Sequence, residues 1–510
     1  MLMRQALCNG QRCKLKISTR NMSVFGKFMR GLMLARMRRI ERAVERAAQV
    51  QYSTLKMLLE QGRNTDFGRR YGLHGVHSAE QFSQRVERFD YDSFEGYVER
   101  MRRGERDVSC EGRVRMFARS SGTSARSKYI PVTERALQMN HLRGMADAVA
   151  LYLASNPSSH LFEGRTLTLC GSCRREQDAL VGDLSALLIS RAGRCGEIVR
   201  APGRGVALME DFDAKCEAIC RECARERITA LAGVPSWNMA LLRRVLEYTG
   251  RRSVLDVWPD LELFMHGGVS FRPYREAFTD VMGGEINYLD SYNASEGFIA
   301  IAEQCGNEDM LLMPDYGCYY EFAHGGEVVP LEGVRRGVEY AVLMTSVNGL
   351  WRYELGDVVR FTSLNPYKIR IVGRTKQYIN AFGEELMIGN AEEALLRTCF
   401  VTGAVVEEYT ISPVFLPDAS GYHRWVVEFV YEPDRMEDFA EELDKALREL
   451  NSDYDAKRRS VMRRVVVRRV PHGTFHRWQA LAGRRKVPRL RGDSKLSDEV
   501  LSCARERVEV

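Results

Sequence analysis

The apolar positions at the start of the chain recur at helical spacing. In the stretch IERAVERAAQVQYSTLKMLLEQG, which ends at Gly62, apolar residues return every three or four positions, as they do on one face of an α-helix. Residues 22–105 share this character. The sequence therefore predicts a helical N-terminal region.

The pattern changes after Val114, where short strand-like runs alternate with helix-length segments. Alternation of this kind is typical of an α/β domain. The stretch from Tyr319 to Val372 has more strand signals and predicts a smaller sheet or barrel on the same lobe. The strand-like runs before it are RTLTLC, RITALAGVP, LELFMHGGVS, INYLDSYNASEG and FIAIAEQ, and the helical SWNMALLRRVLEYTG lies among them.

A further unit follows the GRTK stretch at residues 373–376. In it, AEEALLRTCF and MEDFAEELDKALRELN have helical spacing, whereas VVEEYTIS, HRWVVEFVYE and RRVVVRRV are strand-like. About 130 residues are enough for a small α+β domain. The expected fold class is α/β, with a large N-terminal α/β domain, a β-rich subdomain and a small α+β C-terminal domain.

Composition and charge narrow the class of protein. The chain is 45% hydrophobic and 28% charged, as in soluble globular proteins, and no apolar run approaches the ~18–20 residues that span a bilayer. The first forty residues contain ten Lys and Arg and no Asp or Glu. Two interpretations of this basic segment stay open: it is a mitochondrial transit segment, or translation starts at Met22. The basic run at 458–469 contains no aromatic residue and the first forty residues contain only Phe25 and Phe28, too few for the stacking platform of a nucleic-acid-binding protein, which favours solvated arginines.

The chain has thirteen cysteines, an odd number, scattered along its length. This usage is typical of reduced thiols and predicts a cytoplasmic location. Cys216, Cys220 and Cys223 have the spacing of an iron–sulfur site. The surrounding sequence predicts a helix, however, on which the three would form one apolar stripe, so a core role is favoured.

The segment RSSGTSARSK, residues 119–128, combines small hydroxyl residues with one glycine and a lysine. It lies between the apolar MFA and the strand-like YIPVT. Glycine permits a tight backbone path on which successive N–H groups can bind an anion. The glycine-lysine order of a Walker loop is missing. On its own the segment is more typical of a solvated turn than of a phosphate loop.

Four further motifs follow along the chain. The YNASEG motif ends a predicted strand and places Glu296 where a carboxylate could bind Mg²⁺ beside substrate phosphates. Asp357, in the sequence LGD, is predicted in a turn between strands, where it could accept both ribose hydroxyls; the alternative is a plain Gly-Asp hairpin turn. Arg374 lies at the domain junction, and Lys486 lies in the loop-like GRRKVPRL. Each motif is weak on its own.

In this order the motifs resemble those of the adenylate-forming superfamily of acyl-CoA synthetases, peptide adenylation domains and luciferases. Within it, the chain is identified as a member of the auxin-responsive (Gretchen Hagen) family of acyl-acid amido synthetases. The resemblance covers about residues 22–495. Within it, HGGVSFRPYREAF looks like the corresponding segment of bacterial members of the family. The segments that carry it also include TDFGRRYGL, YVERMRRGE, SSGTS, YNASEG, LGDVVRF, GRTKQYINAFGEEL and KVPRL.

The resemblance implies a two-step reaction. A carboxylic acid attacks the α-phosphate of ATP and gives an acyl-adenylate and pyrophosphate, after which an amine, typically of an amino acid, attacks the acyl carbon and releases AMP. The loop hydroxyls would bind the β- and γ-phosphates, Glu296 would hold Mg²⁺, Tyr292 would stack beside adenine, and Asp357 would hold the ribose. The implied ATP-binding residues are Ser120, Ser121, Gly122, Thr123, Ser124, Lys128, Gly267, Gly268, Tyr292, Ser295, Asp357 and Arg374.

Lys486 is the implied catalytic residue, because it would reach the charge that develops between the carboxylate and the α-phosphate. The implied domains are a basic extension at 1–21, an adenylate-forming domain at 22–372, a hinge at 373–376 and a mobile C-terminal lid at 377–510. Many relatives have Gly-Gln-Asn before the lysine motif, whereas this chain has AGRRK.

Two other functions stay open on the sequence alone. One keeps the superfamily and replaces the amine with coenzyme A or a carrier thiol. The other is a basic protein that binds nucleic acid or a membrane through its arginine-rich segments. The ordered ATP-like motifs disfavour this last class, so no nucleic-acid partner and no integral membrane contact are expected. The acyl pocket is expected between residues 130–240 and 266–275.

Overall fold

The computed structural model describes residues 23–505 apart from short internal segments. The basic extension at 1–21 therefore lies outside the described residues. The internal residues that are left out are 121–127, 268–270, 272–274, 375–377, 380, 383, 385, 417–420, 452–453, 456–457, 459–461 and 485.

The N-terminal region is helical, as its apolar spacing predicts. Its helices are α1 (Val24–Leu34), α2 (Met37–Glu45), α3 (Ala47–Gly62), α4 (Asp66–Arg70), α5 (Ala79–Arg85) and α6 (Tyr91–Arg102). A capping box starts α6, since the Asp90 carboxylate accepts from the Ser93 N–H and the Ser93 hydroxyl accepts from the Asp90 N–H. The apolar stretch that ends at Gly62 spans α2 and α3, because Arg46 between them leaves the helical conformation with φ −114° and ψ 30°.

Strands and helices then alternate along the chain. The strands are β1 (Met116–Ser120), β2 (Lys128–Pro131), β3 (Arg165–Thr168), β4 (Cys173–Glu176), β5 (Ala179–Gly182), β6 (Arg200–Ala201), β7 (Ile228–Gly233), β8 (Leu263–Gly267) and β9 (Asn287–Asn293). The helices are α7 (Glu134–Ala136), α8 (Leu142–Ser155), α9 (Leu184–Ser190), α10 (Arg194–Val199), α11 (Arg204–Ala207), α12 (Phe212–Cys223), α13 (Pro235–Thr249), α14 (Val254–Val257) and α15 (Arg275–Met282). A π-helical turn, Leu137–His141, joins α7 to α8.

Antiparallel strands follow almost without helices. They are β10 (Phe298–Ala302), β11 (Met310–Leu312), β12 (Cys318–His324), β13 (Glu327–Pro330), β14 (Glu339–Ser346), β15 (Tyr353–Leu364) and β16 (Tyr367–Arg374). The predicted β-rich region is therefore present. Its strands are not a separate sheet, however, because β16 pairs with β11 and so continues the sheet that contains the parallel strands.

The largest sheet among the described residues has twelve strands in the order β13-β12-β14-β15-β16-β11-β10-β9-β8-β7-β3-β6. Neighbours are parallel from β6 to β9 and antiparallel from β9 onward. A second sheet has the order β2-β1-β5-β4. Within it β1 and β2 form an antiparallel pair with Ser120 opposite Lys128, so the segment of phosphate-loop composition connects two paired strands.

The C-terminal domain is smaller and mixed. After a two-stranded ribbon, β17 (Tyr378–Ile379) and β18 (Leu386–Met387), it contains β19 (Val405–Phe415), β20 (Gly421–Tyr431) and β21 (Val466–Val470) in one sheet. Its helices are α16 (Ile388–Thr402), α17 (Met436–Leu450), α18 (Thr474–Leu481) and α19 (Lys495–Arg505). The helical and strand-like spacings after residue 376 are thus correctly predicted.

The three clustered cysteines lie in the core. Cys216, Cys220 and Cys223 are buried on α12 among apolar side chains of α13 and β7, and burial raises the pKa of the Cys216 thiol to about 12. The predicted core role is confirmed. Separately, no helix among the described residues combines the length and the apolar character needed to span a bilayer.

Removal of a buried ion pair is expected to destabilise the large domain. The Arg352 Nε lies 2.9 Å from Glu321 Oε2, and both side chains are about 5% exposed; Arg352 Nη1 also donates to the Ser83 and Val86 carbonyl oxygens. Arg352→Met leaves the Glu321 carboxylate buried without its counter-charge. We expect the free energy of unfolding to fall by about 3–5 kcal/mol.

The measurement is urea unfolding followed by tryptophan fluorescence. Arg360→Met is the matched control, because the Arg360–Glu339 pair is roughly half exposed and should contribute less than about 1 kcal/mol. Equal effects of the two substitutions would contradict the assigned role of the buried pair.

Candidate active site

The parallel strands of the large sheet end together at one edge. β8 ends at Gly267, which lies opposite Ser291 of β9. A Cβ on Gly267 would lie 2.5 Å from the Ser291 carbonyl oxygen, so the close approach of the two strands requires glycine. Ligands of open α/β sheets bind beyond the carboxyl ends of the strands, which makes this edge the candidate site. Gly268, the predicted companion of Gly267, lies outside the described residues.

Tyr292, near the end of β9, donates its hydroxyl hydrogen to Asp357 Oδ2. Each residue is only 5% exposed. Three strands separate β9 from β15 in the sheet, so in a flat sheet the two would be about 19 Å apart at ~4.8 Å per spacing. The hydrogen bond therefore requires the sheet to curl until β15 faces the end of β9.

Asp357 lies inside β15, and the turn predicted for it is wrong. Across the β14–β15 pair, a single residue of β14 faces the three residues 355–357, which form a bulge. Gly356 has φ 81°, a left-handed conformation that favours glycine, and bulges increase the local twist of a sheet. In the next pair Arg374, at the end of β16, lies opposite Asp357, so the backbone register places these two predicted residues side by side.

The acidic turn between β9 and β10 contains Ser295 and Glu296, both half-buried. Asn348, which is 1% exposed, holds this turn in place. Its Nδ2 donates to the Glu296 carbonyl oxygen at 3.1 Å, and its Oδ1 accepts from the Thr133 N–H at 3.1 Å. Because Thr133 follows β2, Asn348 ties the acidic turn to the strand that leaves the candidate phosphate segment.

The start of β2 contacts α6. Lys128 Nζ lies 5.5 Å from the ring centroid of Tyr91, and the Tyr91 hydroxyl accepts a hydrogen bond from the Tyr129 N–H at 3.0 Å. Ser120 is placed by its backbone at the end of β1. The predicted phosphate ligands between the two strands, Ser121, Gly122, Thr123 and Ser124, lie outside the described residues.

An aromatic side chain lies near both the acidic turn and the start of α6. Tyr353, at the start of β15, is 2% exposed; its burial raises its pKa, and the nearby negative charge of Glu296 and the Tyr91 hydroxyl raise it further. Tyr353 is thus near both Glu296 and Tyr91. The predicted metal ligand and the predicted phosphate lysine therefore lie in the same region.

Lys486 lies in the C-terminal domain. It is exposed and precedes a segment that is anchored on β19, where Thr410 Oγ1 donates to the Pro488 carbonyl oxygen at 2.7 Å and the Ile411 N–H donates to the Arg489 carbonyl oxygen at 2.7 Å. These anchors hold the lysine at the surface of the smaller domain.

Ionic and aromatic contacts join the two domains. Arg243 of α13 lies 2.6 Å from Glu407 of β19, and the same carboxylate lies 2.6 Å from His472 Nδ1. The ring of Phe212 on α12 lies 6.2 Å from that of His476 on α18. The C-terminal domain thus packs on the α12–α13 face of the large domain.

His141 lies next to the candidate site and is not indicated by the motifs. It ends the π-helical turn, is fully buried, and places its Nδ1 3.3 Å from Asn293 Oδ1 at the end of β9. Burial lowers its pKa to about 4, so the imidazole is neutral at physiological pH. Asn293 is adjacent to Tyr292, and His141 therefore borders the candidate site.

Three family models match consecutive parts of the chain. The GH3 family N-terminal domain matches residues 36–180 and 172–286, the GH3 family central domain matches 311–374, and the GH3 family C-terminal domain matches 389–494. The chain belongs to the GH3 family. The expected family is therefore confirmed.

Curated relatives of this GH3 chain include two plant enzymes. The jasmonoyl--L-amino acid synthetase JAR6 of Nicotiana attenuata is 23% identical over 388 residues, 62% of this chain and 66% of the relative. The indole-3-acetic acid-amido synthetase GH3.8 of Oryza sativa subsp. indica is 23% identical over 447 residues, 71% and 72% of the two chains. The expectation of a bacterial-type member finds no support in these relatives.

Solved structures share the fold. The GH3.15 acyl acid amido synthetase has a TM-score of 0.78 at 18% identity, with 92% of this chain and 95% of that chain covered. A 2-hydroxyisobutyryl-CoA ligase in the postadenylation state in complex with 2-HIB-AMP has a TM-score of 0.57 at 16% identity, with 94% and 92% covered. The predicted fold class, with a large N-terminal and a smaller C-terminal domain, is confirmed.

The buried His141 predicts a measurable pH dependence of stability. Its folded pKa of about 4 lies below the ordinary value of about 6.5, so between these pH values the unfolded chain binds a proton that the folded chain does not. Stability from this residue is therefore present above pH 6.5 and is lost as the pH falls towards 4.

Urea unfolding at several pH values measures this effect against His141→Gln. The free energy of unfolding of the wild type minus that of the variant should rise by up to about 1.4 kcal/mol per pH unit across the window. A difference that is constant between pH 4 and 6.5 would contradict the buried neutral imidazole.

Proposed function

We propose that this chain is an acyl-acid amido synthetase. It uses ATP to activate a carboxylic acid as an acyl-adenylate, and it then transfers the acyl group to the amine of an amino acid with release of AMP. The observation that carries the proposal is the Tyr292–Asp357 hydrogen bond, which joins two distant ATP-like motifs at the carboxyl edge of the sheet in a chain that belongs to the GH3 family.

The nucleoside of ATP binds along the curled edge of the sheet. Asp357 is a buried carboxylate whose orientation is fixed by the Tyr292 hydroxyl. It accepts hydrogen bonds from the ribose hydroxyls. Gly267 lets the backbone approach the adenine, beside the ring of Tyr292. Arg374, opposite Asp357 in the register, adds positive charge next to the nucleotide.

The triphosphate binds between the β1–β2 connection and the acidic turn. Lys128 and the hydroxyls of Ser120, Ser121, Thr123 and Ser124 neutralise and orient the phosphates so that a second anion, the carboxylate, can approach. Glu296 fits Mg²⁺, because it is a partly accessible carboxylate on a turn that Asn348 holds by its backbone, and Mg²⁺ takes few protein carboxylates. When bound, Mg²⁺ spreads negative charge away from the phosphates.

Lys486 acts on the first step. Its ammonium group stabilises the charge that develops between the carboxylate and the α-phosphate, and the C-terminal domain carries it in and out by rotation near residues 373–376. Rotation breaks the Arg243–Glu407 ion pair. This costs little free energy, because both side chains are partly exposed. Closure excludes water from the reactive acyl-adenylate.

The acceptor is an amine, and the location is cytoplasmic. Support for the amine comes from two relatives, a jasmonoyl--L-amino acid synthetase and an indole-3-acetic acid-amido synthetase, both of which form amides. A thiol acceptor is the second candidate, because the fold is also that of a 2-hydroxyisobutyryl-CoA ligase. Acceptors offered one by one to the adenylated enzyme separate the two, by formation of an amide or of a thioester.

Acid-dependent exchange of pyrophosphate into ATP tests the first step. We expect exchange with at least one member of a panel of aryl acetates, benzoates and fatty acids, and none without acid, because pyrophosphate can re-form ATP only from an acyl-adenylate. Asp357→Asn serves as the reference variant and should weaken exchange by raising the KM for ATP. A panel in which no acid supports exchange would overturn the proposal.

Substitution of Lys486 separates the two half-reactions. Lys486→Ala should slow exchange on the order of 10²-fold, as expected for loss of a charge that stabilises the transition state, yet it should still form amide from a pre-made acyl-adenylate. Lys495→Ala, also exposed in the C-terminal domain, is the matched control and should leave both rates unchanged. Equal loss of both steps in Lys486→Ala would contradict a lysine that serves adenylation alone.

A further inference from the structure

Two carboxylates and an imidazole meet beside the contact between the two domains. Glu407 of β19, Glu428 of β20 and His472, two residues before α18, each place one ligand atom within 4.8 Å of the other two. The His472 Nδ1 atom lies 2.6 Å from Glu407 Oε2 and 3.4 Å from Glu428 Oε1. None of the three residues belongs to the ATP-like motifs, so the proposed reaction does not account for their meeting.

A β-bulge brings the second carboxylate into this cluster. Val406 and Glu408 of β19 lie opposite neighbouring residues of β20, and Glu408 faces Glu428. Glu407 is therefore the extra residue of the bulge. Regular alternation from Glu408 would turn the side chain of Glu407 to the other face of the sheet from Glu428, whereas a bulge re-aims a side chain. The strand is thus locally distorted at the residue that approaches Glu428.

Glu428 holds the loop that carries the histidine. It is 2% exposed, and its two carboxylate oxygens accept hydrogen bonds from the Gly473 and Phe475 N–H groups. The loop therefore wraps around the carboxylate, and His472 is placed by its neighbours. Burial raises the pKa of Glu428, and the negative charge of Glu407 raises it further. A second carboxylate at this position is thus unfavourable unless a cation accompanies it.

The charge of Glu407 is compensated on one side only. Its Oε1 lies 2.6 Å from Arg243 Nη1 of the large domain. Its Oε2 is buried and has no hydrogen-bond partner among the described residues, because the short contact with His472 Nδ1 is not aligned as a hydrogen bond. Arg243 therefore orients the carboxylate so that Oε2 faces the imidazole. The His472 side chain is 65% exposed, so an ion from solvent can reach this point.

We propose that Glu407, Glu428 and His472 form a binding site for Zn²⁺, or for a transition-metal ion of similar chemistry, at the boundary between the domains. One imidazole with carboxylates is a ligand set of Zn²⁺, and water completes the tetrahedron. His472 binds through Nδ1 as a neutral imidazole and keeps its hydrogen on Nε2. The ion supplies the positive charge that the two carboxylates lack. The inference is independent of the proposed function.

The spacing of the ligand atoms is close to that of a tetrahedral site. Two ligand atoms that each lie about 2.1 Å from one Zn²⁺ are roughly 3.4 Å apart. The His472–Glu428 distance is 3.4 Å. The His472–Glu407 distance has to lengthen by about 0.8 Å, which the exposed imidazole permits by rotation. Mg²⁺ is a poor occupant, because it prefers an octahedron of oxygen ligands.

Zinc titration of the full chain tests the site. The protein is freed of metal with a chelator and titrated with Zn²⁺ by calorimetry in excess Mg²⁺, which occupies oxygen-only sites. The wild type should bind one Zn²⁺ per chain at this cluster. His472→Ala and Glu407→Gln should each weaken binding by at least roughly tenfold, because even residues that only orient metal ligands contribute about that much. His476→Ala, an exposed imidazole four residues away, is the matched control and should keep the wild-type affinity.

Co²⁺ in place of Zn²⁺ identifies the ligand types. The chain has thirteen cysteines, and a thiolate ligand would give Co²⁺ an intense near-ultraviolet charge-transfer band. Nitrogen and oxygen ligands give visible bands without it, which is the spectrum we expect. Thermal melting establishes that each variant is folded, and His472→Ala should melt like the metal-free wild type because the side chain is mostly exposed.

The outcomes decide the inference without reference to catalysis. One Zn²⁺ site that both substitutions weaken and His476→Ala leaves intact supports it. Absence of Zn²⁺ binding, equal affinity in the wild type and His472→Ala, weakening by only one of the two substitutions, or a thiolate band with Co²⁺ overturns it. Pyrophosphate exchange is not part of this experiment, so the proposed function stands or falls separately.

Discussion

The hydrogen bond from the Tyr292 hydroxyl to Asp357 Oδ2 constrains the shape of the large domain. It joins β9, the last parallel strand, to β15 in the antiparallel part, although three strands lie between them in the sheet. A flat sheet cannot make this contact, so the sheet must curl, and the bulge at Gly356 within β15 supplies part of the twist. The curl brings the carboxyl ends of the parallel strands opposite Asp357 and so creates the concave edge on which the site is built.

The remaining site residues are arranged around this edge by buried polar side chains. Asn348 bonds both the acidic turn of Glu296 and the backbone of Thr133 after β2, and Tyr353 lies near Glu296 and Tyr91. These contacts relate the carboxylate to the hairpin that contains the phosphate-loop residues. Lys486 belongs to the smaller domain, whose ionic contacts with α13 are partly exposed, and this arrangement suits a lysine that must leave after one step.

The sequence predicts the elements and motifs better than it predicts their contacts. Periodicity identifies the helices before residue 105, the core role of the α12 cysteines and most of the longer strands, because each depends on local spacing. It misplaces Asp357 in a turn, since a Gly-Asp pair fits a turn and a bulge equally well. It also divides the β-rich region from the parallel sheet, because the β11–β16 pairing depends on residues that are far apart in sequence. Asn348 and His141 belong to no motif, and their neighbours in the sequence give no signal of their buried contacts.

Equilibrium binding of ATP to Tyr292→Phe tests the central claim most directly. The substitution removes only the hydroxyl that orients Asp357, and Tyr288→Phe on the same strand, whose side chain packs in the apolar cluster behind the sheet, is the matched control. Calorimetry should show at least tenfold weaker ATP binding in Tyr292→Phe, because a hydrogen bond to a buried charged group contributes about 1.5–3 kcal/mol, and unchanged binding in Tyr288→Phe. Equal affinity in the wild type and Tyr292→Phe would contradict the claim that this bond organises the nucleotide site.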